Sequence, residues 1–139
     1  MDEHMSDDLI DKAAKVGIEN FIATSGRFPD QFQLMQKYAP AAFAGYGLTR
    51  SALMKDRAEG GALDLKTKEL LFAVLDTLHG DLMGAKAHGV LAIKLGLTLP
   101  ELAEGLVQVL MVGGITTWNN VGQHVMRACE EAVQAAPKK

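Results

Sequence analysis

The sequence predicts an all-α chain of six to seven helices, and three observations carry that prediction. The four prolines stand at 29, 40, 100 and 137, so residues 41–99 run without one. Proline inside a helix removes a hydrogen bond and clashes with the preceding turn, so its absence leaves helices free to form. Apolar residues recur at helical spacing, and no stretch shows the strict alternation of β-branched residues that marks a strand. Glycines stand at 26, 60, 61, 80, 96, 113 and 114, between the apolar segments, where helices end.

The elements follow in order. A first helix is expected after Ser6, with Asp7 and Asp8 favourable at its positive end and Leu9, Ile10, Ala13, Val16, Ile18 and Phe21 along it. Residues 26–29 break it. A short helix over 31–38 follows, and Pro40 opens a third that reaches about residue 56. The Gly60-Gly61 pair makes a loop of 58–62. Asp64 is a candidate N-cap for a helix over 65–79, which Gly80 ends, and Asp81 is placed to cap the next helix, over 82–95, with Gly96 after it. Thr98-Leu-Pro-Glu101 reads as a capping box with proline in the first turn of a helix to about 112. Gly113-Gly114 stops it, a last helix covers 116–135, and the tail from 136 is expected to fray.

Composition narrows the function. The 139 residues fit one domain over 1–139, with no internal repeat or low-complexity linker. A chain of this size buries about two-thirds of its unfolded surface and folds without disulfides or a structural metal. Its single cysteine, Cys129, excludes an internal disulfide, an intramolecular CxxC couple and an all-cysteine metal site. A net charge of −3 speaks against a nucleic-acid surface. With 48% apolar and 22% charged residues the chain is globular. The acidic start Met1-Asp-Glu-His lacks the apolar core of a secretory signal, so a cytoplasmic protein is expected. Residues 105–123 are uncharged but contain Gln108, Asn119, Asn120 and two adjacent glycines, which reads as a buried helix and turn, not a membrane span.

Several polar residues can carry chemistry. The 65–79 helix is apolar nearly all round, through Leu65, Leu70, Leu71, Phe72, Val74, Leu75 and Leu78, and is expected at the centre of the fold. Glu69, Asp76 and His79 nevertheless share one stripe of it, and Asp81 and His88 share a face of the next helix. Where those faces meet, carboxylates and imidazoles converge, and a carboxylate in an apolar site can act as acid or base. Each has a structural alternative: Asp81 a helix cap, Asp76 and His79 a wet helix end, His88 a satisfied core histidine, Glu69 a partner of Lys66 or Lys68. His124 reads as a surface or interface residue. His79, Asp81 and His88 lack compact metal-ligand spacing, so no metal is assigned. Arg50, Arg57 and Arg127 are candidates for binding a substrate carboxylate, Arg50 foremost. Trp118 packs or lines a pocket rim, and the methionines fill core or interface gaps.

Lys66-Thr-Lys-Glu-Leu-Leu71 at a helix start, His88 in a small-residue helix, Gly96-Leu-Thr-Leu-Pro-Glu-Leu102, and Gly113-Gly114 agree in order and spacing with one family. Over about residues 38–129 the chain resembles the carboxymuconolactone decarboxylase family and its sister group, the alkylhydroperoxidase D (AhpD)-like proteins. The resemblance implies an AhpD-like helical fold, usually assembled as homo-trimers or homo-hexamers. In the AhpD-like branch a Glu, a CxxC pair and a following His relay protons to a redox thiol. Glu69 and His88 match that Glu and His, while the cysteine positions fall on Asp81 and Gly84. Thiolate is the nucleophile of that peroxidase chemistry, and carboxylate does not replace it. The decarboxylase branch takes a carboxylated lactone to an enol-lactone and CO₂ without the pair or a cofactor. It needs a cation for the substrate and a proton donor once CO₂ is lost. Acid–base decarboxylation of a small carboxylated or lactone substrate is therefore expected, with Glu69 and His88 leading, Asp81 and His79 behind them, and Arg50 and Trp118 at the substrate. The alternatives are a peroxidase with non-standard thiol use, through Cys129 or a partner's thiol, and a non-catalytic oligomeric binding module.

Overall fold

The structure is a computed structural model describing residues 3–138. The first two residues of the acidic start, Met1 and Asp2, and the final Lys139 of the tail lie outside the described residues. Every regular element among the described residues is helical. The chain divides into two compact units, residues 1–62 and 63–139.

The first unit holds α1 (Glu3–Ser25), α2 (Asp30–Tyr38) and α3 (Pro40–Leu53). α1 starts ahead of the expected position after Ser6. α3 ends at Leu53, short of the expected residue 56, because Asp56 caps a separate 3₁₀ turn, Arg57–Glu59, with Glu59 completing a capping box. α1 packs on α3, and α2 closes over α3. Phe21, Phe43, Ala14 and Ala44 are buried between them, with Phe28 and Phe32 against Phe21. The α1–α3 crossing is a glycine-on-glycine contact: a Cβ on Gly17 would stand 2.6 Å from the Gly47 Cα. At one end of that crossing the Arg50 guanidinium lies over the Phe21 ring and donates to Asn20 Oδ1 and Thr24 Oγ1.

The second unit holds α4 (Leu65–His79), α5 (Leu82–Lys94), α6 (Leu99–Gly113), α7 (Ile115–Thr117), a π-helical turn (Trp118–Gly122) and α8 (Gln123–Ala135). The caps fall where side-chain chemistry predicts. Asp64 accepts from the Thr67 N–H, Asp81 from the Gly84 N–H, and Thr98 from the Glu101 N–H while Glu101 returns to the Thr98 N–H. Those bonds hold the exposed Glu101 carboxyl below its ordinary range. Gly80 takes a left-handed φ of 83°, which lets the chain leave α4 and enter α5 within two residues. The last helix differs from expectation: the helical path opens at Ile115 and widens at Trp118, so its first turns and its last turns are not one α-helix.

Ala85, Ala92, Leu102, Leu106, Val125 and Cys129 form the core of this unit, with Trp118 packed against it. A Cβ on Gly89 would lie 3.0 Å from Val125 and 3.1 Å from the Cys129 sulfur, so α5 and α8 meet closely there. α4 corrects the expectation that its apolar circumference would be central. It buries Lys68, Glu69, Ala73 and Thr77 and leaves Leu71, Leu75 and Leu78 exposed. The cause is geometric: the side of α4 facing α5 is its polar and small-residue side, so the leucines point away. No helix among the described residues is long and apolar enough to cross a membrane.

Candidate functional site

The site is built where α4 meets α5. Glu69 lies one turn into α4, fully buried, and Asp76 stands seven residues on along the same stripe. The tight Gly80 exit returns the chain so that His88, in the second turn of α5, comes level with Glu69. His88 Nδ1 is 2.6 Å from Glu69 Oε2, a short charge-assisted contact. A carboxylate only accepts, so an Nδ1 proton sits between them, and Nε2 accepts when the ring is neutral and donates when it is imidazolium. On that side Asp76 Oδ2 stands 3.9 Å from Nε2, too far for a direct hydrogen bond. The Phe72 ring covers the imidazole with centroids 4.7 Å apart.

Exposure grades across the three groups. The Glu69 side chain is 0% accessible, His88 24% and Asp76 28%. The pair is thus anchored from inside at Glu69 and partly accessible at His88, as a group exchanging protons with a bound molecule requires. Glu69 Oε1 is buried with no hydrogen-bond partner among the described residues. A buried carboxylate oxygen left unmet is costly, so its retention calls for a reason beyond packing. Burial also holds the Asp76 carboxyl above its usual range; Asp81 adds to this, and the His88 and His79 imidazoles oppose it.

A model of the carboxymuconolactone decarboxylase family matches residues 40–123, more than half of the chain. The chain belongs to the carboxymuconolactone decarboxylase family. Among solved structures this family member is similar to a protein from Burkholderia xenovorans LB400 whose crystal structure is named as that of a "putative carboxymuconolactone decarboxylase". The two share 27% identity with a TM-score of 0.83, over 90% of this chain and 94% of that one. No curated protein matches it. The expected all-α, AhpD-like fold is therefore present.

The remaining residues expected at the site of this carboxymuconolactone decarboxylase family member take varied places. Asp81 Oδ1 caps α5, and its Oδ2 leans towards Asp76. His79 ends α4, exposed, and acts on Asp76 through its charge alone. Trp118 packs on the core of its unit from the π-helical turn. Arg50 belongs to the first unit, where it ties α3 to α1. No group of three His, Cys, Asp or Glu side chains among the described residues is arranged to hold a metal ion. Asp76, left open between chemistry and a wet helix end, stands beside Gly84 at the start of α5. The stripe it shares with Glu69 was visible, but not that its carboxylate leans onto α5.

Two expected results separate structure from chemistry here. Asp81→Ala should lower stability by ~0.5–2 kcal/mol, the cost of a lost cap, whereas Asp81→Asn keeps an acceptor and should stay close to the parent in denaturant midpoint. Cys129 is fully buried, and desolvation pushes its thiol up to about 11. The native protein should therefore resist thiol alkylation at pH 7–8 and react only when denatured, read as mass gained per chain.

Proposed function

We propose that this chain is a cytoplasmic, cofactor-free acid–base catalyst, a decarboxylase or related lyase on a small carboxylated or lactone substrate, working as a homo-trimer or homo-hexamer. The observation that carries the reading is the buried Glu69 holding His88 Nδ1 at 2.6 Å while the His88 side chain stays partly accessible. In decarboxylation the C–C bond to the carboxylate breaks and its electron pair passes into the conjugated lactone carbonyl. CO₂ leaves, and the dienolate so formed must take up a proton at the carbon next to the lactone carbonyl to give an enol-lactone. As imidazolium, His88 supplies an acid or a positive charge for the enolate that develops, and Glu69 keeps the ring's orientation and balances the imidazolium. Phe72 gives the imidazole an apolar neighbour, which favours loss of charge from a desolvated carboxylate.

Thiol peroxidase chemistry has less support. The CxxC positions hold Asp81 and Gly84, and the buried Cys129 is kept in its unreactive protonated form. A non-catalytic module is less well matched too, because His88 and Asp76 stay accessible.

Assembly is supported by the apolar face of α4 and α6. Leu71, Leu75, Val107, Met111 and Val112 are exposed, Met111 and Val112 by 78% and 80%. Leu70, Val74, Leu78 and Val109 line a groove of about 250 Å³ between these helices. A contiguous apolar surface of this kind marks an interaction site. The enzymatic reading is tested by offering the purified protein a panel of carboxylated γ-lactones and measuring CO₂ release. Saturable release is expected, and none across the panel would remove the lyase reading. Light scattering at micromolar concentration checks assembly, where a monomer would count against it.

A further inference from the structure

Gly84 sits in the first turn of α5, and its missing side chain shapes the site. A Cβ there would stand 2.5 Å from Asp76 Oδ2 and 2.7 Å from Asp81 Oδ2. Both carboxylates therefore rest against the same bare stretch of helix. Any residue larger than glycine would push the Asp76 carboxylate off α5. Its present seat puts Oδ2 3.9 Å from His88 Nε2. That separation is too long for a direct hydrogen bond and suits one bridging oxygen, with the imidazole nitrogen on one side and a carboxyl on the other.

We propose that Asp76, seated over the bare Cα of Gly84, is a second proton-handling residue of this site and delivers the proton to the ring carbon next to the lactone carbonyl, from beside His88 Nε2. This rests on the decarboxylase reading above. The step balances: the substrate carboxylate departs as CO₂, its bonding electron pair remains on the conjugated lactone, and the Asp76 carboxyl proton forms the new C–H bond. Asp76 is left ionised and regains a proton from water, so each turnover consumes one proton. Such a donor has to be held protonated nearer neutrality than an exposed carboxyl is, and burial of Asp76 acts in that direction. The charged groups acting on it are His88 from α5, Asp81 from the start of α5, and His79 from its own helix.

The test compares Asp76→Asn, Gly84→Ala, His88→Ala and Glu69→Gln on one carboxylated γ-lactone, across pH. Asp76→Asn is isosteric and cannot donate an acidic proton. It should lower kcat ~100-fold with KM little changed, and abolish the alkaline limb set by loss of the Asp76 proton. It should also melt higher than the parent at pH 7. The folded state binds the Asp76 proton more tightly than the unfolded state does, so stability falls as pH rises through 3.8 to the folded value, and asparagine escapes that loss. Gly84→Ala meets only the ends of two flexible carboxylates and favours the helix, so it should fold and still lose activity as Asp76→Asn does. A variant Asp76→Asn that keeps the parent's turnover and alkaline limb, or that melts lower, overturns the proposal. If that happens while His88→Ala and Glu69→Gln are inactive, the decarboxylase reading stands without Asp76. If those two retain full turnover, or the parent shows none, the reading falls and the donor role falls with it.

Discussion

His88→Ala and Glu69→Gln are each expected to lower turnover of a carboxylated lactone by at least ~100-fold, the scale of losing a positioned acid or base. The reason is the 2.6 Å contact between Glu69 Oε2 and His88 Nδ1. Alanine removes the proton-carrying ring outright. Glutamine keeps the shape of the buried side chain but removes the charge that balances imidazolium as it forms, and it loosens the constraint on which nitrogen carries the proton. Because the two residues act as one device, the double variant should be barely worse than either single one. Initial rates of CO₂ release, with the fold checked by circular dichroism, decide the matter. Folded variants with parental rates would show that the pair is structural.

Gly17→Ala is expected to destabilise the first unit despite being a favourable change for an isolated helix. Alanine gains ~1 kcal/mol over glycine in a helix interior. The new methyl group, however, would stand 2.6 Å from the Gly47 Cα, which is backbone and cannot rotate away. Relief requires α1 and α3 to move apart and loosen the packing around Phe21 and Phe43. Overpacking of this kind costs ~1–3 kcal/mol and sometimes more, so the clash outweighs the propensity. Gly47→Ala meets Gly17 at 2.9 Å and should behave similarly, a little less severely. Gly45, on the same helix with nothing within 4 Å of its added Cβ, is the control: Gly45→Ala should gain up to ~1 kcal/mol. Denaturant midpoints of the three variants measure both signs. Stabilisation by Gly17→Ala equal to that of Gly45→Ala would mean that the helices are not in contact there.

What could be read from the sequence is what local chemistry controls. Asp64, Asp81 and Thr98 with Glu101 cap the helices they precede because an oxygen one residue before a helix meets its orphan N–H groups in any tertiary setting. The approach of Glu69 to His88 was legible as two stripes on neighbouring helices joined by a glycine exit. The sidedness of α4 was not. A helix apolar nearly all round gives no preference for the face that turns inward, and contact with α5 chose the one carrying Glu69, Ala73 and Thr77. Asp76 was hidden for a related reason. Its reach to α5 depends on what residue 84 lacks, and an absent side chain has meaning only once its neighbours are placed. The glycine contact of α1 with α3 was invisible likewise, since neither Gly17 nor Gly47 breaks its helix.

The π-helical turn at Trp118–Gly122 bears on how related chains can differ in length. One residue lost from an α-helix rotates everything beyond it by about 100°, which would swing Val125 and Cys129 away from Gly89 and empty the α5–α8 contact. A π turn holds one residue more than the α turn it replaces. Loss of Asn119 or Asn120, both exposed, would therefore be absorbed by the turn tightening to α geometry, with both flanks keeping their orientation. The gap between a shorter relative and this chain belongs at residues 119–120, where a change in length leaves the core residues on either side in register.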